Sequence, residues 1–240
     1  MSEFSELIAG VFRGDHRSLA HAISIVEDGV EGSRELVDAM AILASDVPII
    51  GITGAPGLGK STLVNALVTQ LRNRNLAVCV LAVDPSSVIT GGALLGDRIR
   101  MSGHTADDGV FIRSLSSRGH LGGLTATFSA VLAVVRAARF DVIIVETVGV
   151  GQSEVEIMKF ADPVVVVSAP GLGDGVQAAK AGIIEIANIV VINKSDLEGT
   201  EAAVAAMERA ELGVPVVAVS ATTGAGIDEF MAVLLPAAQL

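Results

Sequence analysis

A glycine-rich run in the first quarter of the chain has the residue types and spacing of a phosphate-binding loop. Residues 54–62 read GAPGLGKST, which fits the pattern G-x-x-x-x-G-K-[ST], and they lie between an apolar run and a helical pattern. Glycines let successive backbone N–H groups turn inward around phosphate oxygens, and the following helix presents its positive end to the same anion. Lys60 is expected to bridge the β- and γ-phosphates of a nucleotide, and Ser61 to ligate Mg²⁺. The residues expected to bind the phosphates are therefore Gly54, Ala55, Pro56, Gly57, Leu58, Gly59, Lys60, Ser61 and Thr62.

A second motif, at residues 193–196, indicates which base is bound. It reads NKSD and directly follows the apolar run 189–192. In the pattern N-K-x-D the aspartate, here Asp196, accepts hydrogen bonds from N1–H and the exocyclic amine of guanine, a pair of donors that adenine lacks. Lys194 is expected to lie along the base and Asn193 to brace the loop. The motif predicts guanine nucleotides, and three residues after the next strand are expected to complete the base site: Ser220, Ala221 and Thr222.

Three carboxylates and one hydroxyl are candidates for holding Mg²⁺, which takes oxygen ligands. Glu146 ends an apolar run at the place where most small GTPases have the aspartate of D-x-x-G. That acid reaches Mg²⁺ through water, and the glycine of the motif, here Gly149, senses the γ-phosphate. Asp84 ends another apolar run, whereas Asp97 has the strongest case for being a solvated loop residue. The expected metal ligands are Ser61, Asp84, Asp97 and Glu146.

Lys60, Glu146 and Gln152 are the expected catalytic residues. GTPases of the Ras kind place a glutamine directly after the D-x-x-G glycine, where it orients the attacking water. Here Val150 occupies that position, and Gln152 comes three residues after Gly149. Unaided hydrolysis is therefore expected to be slow and to accelerate when a partner reorders these residues.

The elements that position these residues are predicted by alternating patterns. Six apolar, β-branched runs are typical of strands buried on both faces of a parallel sheet: 47–53, 76–83, 141–146, 163–168, 189–193 and 214–220. Helical patterns separate these runs, so the sequence predicts an α/β fold of the P-loop NTPase kind with a doubly wound, mostly parallel sheet. The amphipathic spacing near the N-terminus predicts a helical segment over residues 1–45, followed by a P-loop GTPase domain over residues 46–240.

Composition excludes several classes of protein. The chain of 240 residues is 51% hydrophobic and 18% charged, which excludes a disordered chain. Its longest uncharged run, residues 119–135, is shorter than the roughly 20 apolar residues that a membrane-spanning helix needs. A formal charge of −11 argues against nucleic-acid and anionic-membrane partners. The single cysteine, Cys79, and the acidic N-terminus are typical of a cytoplasmic protein.

Longer segments resemble the GTPases of the MeaB/ArgK type, which are chaperones associated with methylmalonyl-CoA mutase and related cobalamin-dependent acyl-CoA mutases. These GTPases belong to the G3E group, which has glutamate where others have aspartate, and Glu146 matches that feature. The resemblance runs from about Leu7 to about Gly226. The matching segments are GITGAPGLGKSTL (51–63), VDPSSVITGGALLGDRIRM (83–101), SSRGHLGGL (116–124), VETVGVGQSE (145–154), APGLGDGVQAAKAGI (169–183) and NKSD (193–196).

The resemblance implies a GTP-dependent role in loading, gating or protecting adenosylcobalamin on a partner mutase, with Mg²⁺ and GTP or GDP bound. It implies a first nucleotide-sensing switch at residues 85–101 and a second at 147–153, with 169–183 on the same sensing or partner surface. Members of the family continue with a helical arm used for dimerisation, whereas this chain stops at Leu240. Either the arm is missing from this protein or the chain is truncated, so a homodimer of the family kind is left open.

Two other functions are compatible with the phosphate-binding loop. A kinase or a transport-energising ATPase would need adenine selectivity and a phosphoacceptor, and the NKSD motif opposes it. The second alternative is a scaffold protein that binds GTP and hydrolyses it negligibly, because the motifs predict nucleotide binding better than they predict the rate of hydrolysis.

Overall fold

A seven-stranded parallel sheet forms the centre of the molecule. The computed structural model describes residues 4–84, 104, 106–116, 123–147, 155–156, 158–171 and 184–240. Its strands are β1 (Ile49–Thr53), β2 (Val78–Asp84), β3 (Val110–Ser116), β4 (Val142–Thr147), β5 (Val164–Ser168), β6 (Ile189–Ile192) and β7 (Val216–Ala218). They lie in the order β3-β2-β4-β1-β5-β6-β7, and every pairing between neighbouring strands is parallel. The α/β fold predicted from the sequence is confirmed.

Helices cover both faces of the sheet. In the part of the chain that the structure describes, the α-helices are α1 (Ser5–Phe12), α2 (His16–Asp28), α3 (Ser33–Leu43), α4 (Lys60–Asn73), α5 (Gly123–Arg136), α6 (Thr200–Arg209) and α7 (Ile227–Ala237). A 3₁₀ turn at Ile184–Ile186 precedes β6. None of the described helices combines the length and the apolar character that crossing a membrane requires.

The side chains of the central strands alternate between two hydrophobic layers. On β4, Ile143 and Val145 pack in the layer that contains α2, α3 and α5. Val142 and Ile144, which point the other way, pack in the layer that contains α4 and α7. Strands that are buried on both faces need apolar residues at every position, which is why they read as continuous apolar runs in the sequence.

The edge strand β3 is missing from the six strands predicted from the sequence. Its sequence, VFIRSLS, has an arginine and two serines and therefore lacks a continuous apolar run. An edge strand has a neighbour on one side only, so it tolerates polar residues that a central strand would bury at high cost. Here Arg113 is accommodated because its guanidinium reaches out of the sheet toward α2.

A buried ion pair attaches the N-terminal helices to the sheet. Arg113 of β3 donates to the carboxylate of Glu27 and, at 3.0 Å, to the hydroxyl of Ser24, both on α2. The Glu27 side chain is only 3% exposed, and α2 and α3 both pack on α5. These contacts position α1–α3 on the face of the sheet that carries α5, whereas the division into a segment 1–45 and a domain 46–240 stays a prediction.

Candidate nucleotide-binding site

The predicted site residues follow strands whose carboxyl ends share one edge of the sheet. β1 lies at the centre, with β4 on one side and β5 on the other. The strands that follow β1 in sequence, β2 to β4, lie on one side of β1 within the sheet, and the later strands β5 to β7 lie on its other side. The order of strands therefore changes direction at β1. Ligands of open α/β sheets bind at the carboxyl ends of the strands at such a point. The loop at residues 54–59 lies there, between β1 and α4.

Two glycines give this loop its path. Gly54 has a φ of 147°, and a Cβ atom on it would lie 2.4 Å from the backbone oxygen of Val167 in β5. Gly59, which caps the N-terminus of α4, has a φ of 83°, and a Cβ atom there would lie 2.5 Å from Nδ2 of Asn193. A side chain at either position would collide with a neighbouring strand end or loop, so glycine is required sterically as well as conformationally.

The Lys60 ammonium lies inside the phosphate-binding loop. The residue is 5% exposed, and its Nζ donates to the backbone oxygens of Gly54 at 2.8 Å and Ala55 at 2.9 Å. Burial lowers the pKa of Lys60, and the negative charge of Glu146 opposes that shift. A buried cation whose hydrogen-bond acceptors are neutral carbonyl groups is stabilised further by an anion, so this arrangement suits a phosphate group.

Ser61 and Glu146 form a buried pair beside Lys60. The hydroxyl of Ser61, in the first turn of α4, donates to Oε1 of Glu146, near the end of β4, at 2.8 Å. A hydroxyl and a carboxylate at this separation are oxygen ligands of the kind that Mg²⁺ takes. The hydroxyl would bind the cation directly, and the carboxylate would bind it directly or through a water molecule. Among the described residues, no group of three or more His, Cys, Asp or Glu residues is arranged to hold a metal ion. The donor set therefore fits a cation that takes its remaining ligands from phosphate oxygens and water.

Asn193 joins the base-recognition loop to the phosphate-binding loop. This residue is 2% exposed, and its Nδ2 donates to the backbone oxygen of Leu58 at 2.8 Å. Its Oδ1 accepts a hydrogen bond from the backbone N–H of Ala221 at 3.1 Å. Lys194, which has a φ of 61°, donates from Nζ to the backbone oxygen of Gly57 at 2.8 Å. The two loops and the segment after β7 are thus held in one hydrogen-bonded unit.

The Asp196 carboxylate is exposed and oriented by its neighbours. Its Oδ1 accepts a hydrogen bond of 2.6 Å from the hydroxyl of Ser220, which is itself 1% exposed. This hydrogen bond is the main cause that lowers the pKa of Asp196; its own backbone N–H and the charge of Lys194 contribute in the same direction. The carboxylate therefore stays ionised at neutral pH and keeps acceptor capacity toward solvent, as recognition of two N–H donors requires.

The structure brings most of the predicted site residues to one edge of the sheet. Pro56, Thr62 and Thr222 lie there as exposed residues of the loops or of the first turn of α4. Asp84 ends β2, and Val83 before it pairs with Thr147, so its backbone lies at the same edge. The side chain of Asp84 and the whole of Asp97, Gly149 and Gln152 lie outside the described residues, as do most of the predicted switch segments.

One side-chain contact at this edge was not predicted from the sequence. Thr53 ends β1, Thr147 ends β4, and the hydroxyl of Thr147 donates to that of Thr53 at 3.0 Å. Both residues are buried. The available signal was a hydroxyl residue at the end of two otherwise apolar strands, immediately before the phosphate-binding loop in one case and after Glu146 in the other.

The comparison with protein families decides to which family the chain belongs. The family model for the methylmalonyl-CoA mutase-associated GTPase MeaB matches residues 19–238. The chain belongs to the MeaB family. The resemblance expected from the sequence is therefore confirmed, and so is the expectation that the chain is a GTPase.

Curated relatives support the same assignment. A Pyrococcus abyssi protein named as a GTPase is 50% identical over 235 residues, which cover 93% of this chain and 72% of that protein. The GTPase ArgK of Escherichia coli is 40% identical, with 80% of this chain and 59% of ArgK covered. The mouse protein named methylmalonic aciduria type A homolog, mitochondrial, is 36% identical, with 93% of this chain and 60% of that protein covered. The chain thus matches about three fifths to seven tenths of the length of these relatives.

Solved structures show the same fold. A crystal structure described as LAO/AO transport system kinase superimposes with a TM-score of 0.77 at 28% identity, covering 98% of this chain and 76% of that one. The nickel complex of HypB from Helicobacter pylori gives a TM-score of 0.60 at 16% identity, covering 90% of this chain and 95% of that one. The likeness to HypB shows the fold alone.

Replacing Asp196 by Asn tests the base-recognition loop. We expect the affinity for GDP to fall at least about 100-fold, because two charge-assisted hydrogen bonds to guanine are lost. Affinity for XDP should rise, because an amide N–H can donate to the xanthine oxygen. Calorimetric titration with both nucleotides measures this change. Asp228→Asn, an exposed aspartate in the first turn of α7, is the matched control; unchanged GDP affinity in Asp196→Asn would contradict the assignment.

Proposed function

We propose that the chain binds GTP with Mg²⁺ at this site, hydrolyses it to GDP and phosphate, and thereby assists a cobalamin-dependent acyl-CoA mutase such as methylmalonyl-CoA mutase. The observation that carries the nucleotide part is the single hydrogen-bonded unit formed by Asn193, Lys194 and the phosphate-binding loop. Family membership supports the mutase part. We further propose that the chain acts in the cytoplasm as a GTPase domain over residues 46–240, preceded by the helical segment 1–45.

Each described residue has a chemical task in this proposal. Backbone N–H groups of residues 54–62 and the N-terminus of α4 bind the phosphates, and Lys60 neutralises charge between the β- and γ-phosphates. Ser61 and Glu146 would hold Mg²⁺, which supplies charge neutralisation on the phosphate oxygens when bound. Asp196 accepts the two guanine donors, while Ser220 holds its carboxylate in place. Asp84, Asp97, Gly149 and Gln152 keep the roles predicted for them from the sequence.

The proposed mutase role needs a change of state that a nucleotide switch can supply. Hydrolysis removes the γ-phosphate, and segments that it holds are then released, so binding to a partner differs between the GTP and GDP states. The mouse relative is named for methylmalonic aciduria, which agrees with a role linked to methylmalonyl-CoA metabolism. On this proposal the chain loads, gates or protects the cobalamin cofactor of the mutase.

A kinase function is the alternative that one comparison favours, because a similar structure is described as LAO/AO transport system kinase. The base site argues against ATP as substrate. The ionised Asp196 carboxylate would face the adenine edge without the two donors that guanine offers, and an unpaired carboxylate disfavours binding.

Replacing Lys60 by Ala tests the phosphate site. We expect GTP hydrolysis, measured as phosphate release with Mg²⁺ present, to be lost, because the ammonium that neutralises the phosphates is gone. Thermal unfolding checks that the variant still folds, because Lys60→Ala also removes the hydrogen bonds to the backbone oxygens of Gly54 and Ala55. Lys159→Ala, which removes a lysine whose side chain is 60% exposed, is the control and should hydrolyse GTP at the wild-type rate. Full hydrolysis by Lys60→Ala would contradict the proposal.

Capture of purified methylmalonyl-CoA mutase on the immobilised chain tests the partner. We expect the amount of mutase retained to differ at least about tenfold between GDP and a non-hydrolysable GTP analogue, the equivalent of about 1.4 kcal/mol of coupling. Lys60→Ala should retain the same amount under both conditions, because we expect the loss of the ammonium to weaken binding of both nucleotides as well. Equal retention by the wild-type chain with both nucleotides, or none with either, would exclude the mutase role while leaving the GTPase assignment intact.

A further inference from the structure

The Thr53–Thr147 pair lies at the last point where β1 and β4 run side by side. Ile52 of β1 pairs with Glu146 of β4, so Thr53 and Thr147 are the next residues on each strand. Each is the final residue of its strand. Beyond Thr53 the chain enters the phosphate-binding loop. Within the described residues, the hydroxyl contact of 3.0 Å is the last side-chain link between the two strands.

The two chain segments that continue from this link lead to the Ser61–Glu146 pair. Glu146 immediately precedes Thr147, and Ser61 lies in the first turn of α4, after the loop that follows Thr53. The Ser61 hydroxyl and the Glu146 carboxylate meet at 2.8 Å on the face that packs against α4. Side chains alternate along a strand, so Thr147 points to the opposite face from Glu146. The two contacts thus hold the end of β4 from both faces of the sheet.

Burial makes the threonine link stronger than an exposed hydroxyl contact would be. Thr147 is 0% exposed and Thr53 is 2% exposed, so neither hydroxyl can exchange its partner for bulk water. Removing the Thr147 hydroxyl leaves β4 held to β1 by its backbone ladder and by apolar packing. The β1–β4 ladder ends at Ile52 and Glu146, one residue before this contact, and strand ends are the part of a sheet that frays first.

We propose that Thr147, through its hydroxyl contact with Thr53, is a positioning residue that sets the distance between Glu146 and Ser61 for binding Mg²⁺ with the nucleotide. The inference rests on the proposed function, because it concerns the cation site of the same GTPase. On this proposal Thr147 affects how strongly nucleotide binding depends on Mg²⁺, and it does not affect the preference for guanine over adenine. The base site lies on the other side of β1, after β6 and β7.

The test is the Mg²⁺ dependence of GDP affinity, measured by calorimetry on the full chain. The Mg²⁺ midpoint is the Mg²⁺ concentration that gives half of the full gain in GDP affinity. Thr147→Val keeps the shape of the side chain and removes the hydroxyl donor. Its Mg²⁺ midpoint should rise about fivefold, which corresponds to the loss of one neutral hydrogen bond. Thr147→Ser, which keeps the hydroxyl, should stay within about twofold of the wild-type chain. Thr53→Val removes the acceptor of the same contact, so it should raise this midpoint at least as much as Thr147→Val does, and the double variant should be no worse than Thr53→Val alone.

Three outcomes separate positioning from a general structural role and from failure of the proposed function. A raised Mg²⁺ midpoint in both valine variants, with unchanged GDP affinity in the absence of Mg²⁺ and an unchanged preference for GDP over ADP, supports the inference. An unchanged midpoint together with a lower unfolding temperature shows that the pair only stabilises the fold, and it overturns the inference alone. GDP binding by the wild-type chain that does not respond to Mg²⁺ overturns both the proposed cation site and the inference.

Discussion

The buried amide of Asn193 is the contact on which the rest of the site depends. It binds the backbone of the phosphate-binding loop on one side and the backbone after β7 on the other, so three separate segments share one side chain. The approach is so close that Gly59 can carry no Cβ atom. Backbone groups that are removed from water must be paired, and loss of the Asn193 side chain would remove the partner of the buried carbonyl group of Leu58 and of the half-buried N–H group of Ala221. The spacing between the phosphate site and the base site is therefore fixed by the fold before any nucleotide arrives.

The parallel sheet places the segments that Asn193 connects close enough to form these hydrogen bonds. Because all its strands run in one direction, the phosphate-binding loop, Glu146, Asn193 and Ser220 all lie at or just beyond carboxyl ends of strands and meet at one edge. The order of the strands places the phosphate-binding loop between the acid on β4 and the base loop after β6. The proposed site is also compatible with the formal charge of −11, because backbone dipoles and the buried Lys60 favour an anion locally.

The parts of this structure that could be predicted from the sequence are those governed by local pattern. Strands buried on both faces read as continuous apolar runs, and the phosphate-binding loop needs glycine and lysine at fixed spacing, so both were predictable. Strand β3 was not predictable, because an edge strand need not be apolar at every position. It contains Arg113, which forms an ion pair with Glu27 on α2, a helix far away in sequence. The Thr53–Thr147 contact and the backbone acceptor of the Asn193 amide could not be predicted from the sequence either. They join residues 94 and 135 positions apart, and only the register of the folded sheet brings them together.

The central claim, that this site binds guanine nucleotides, is tested most directly by titrating the nucleotide-free chain with GDP and with ADP in the presence of Mg²⁺. The chain has no tryptophan or tyrosine, so absorbance near 260–280 nm reports removal of bound nucleotide before the titration with little interference from the protein. The account predicts that GDP binds at least about 100-fold more tightly than ADP, because the Asp196 carboxylate has two donors to accept from guanine and none to accept from adenine. Equal affinity for the two nucleotides, or tighter binding of ADP, would contradict it.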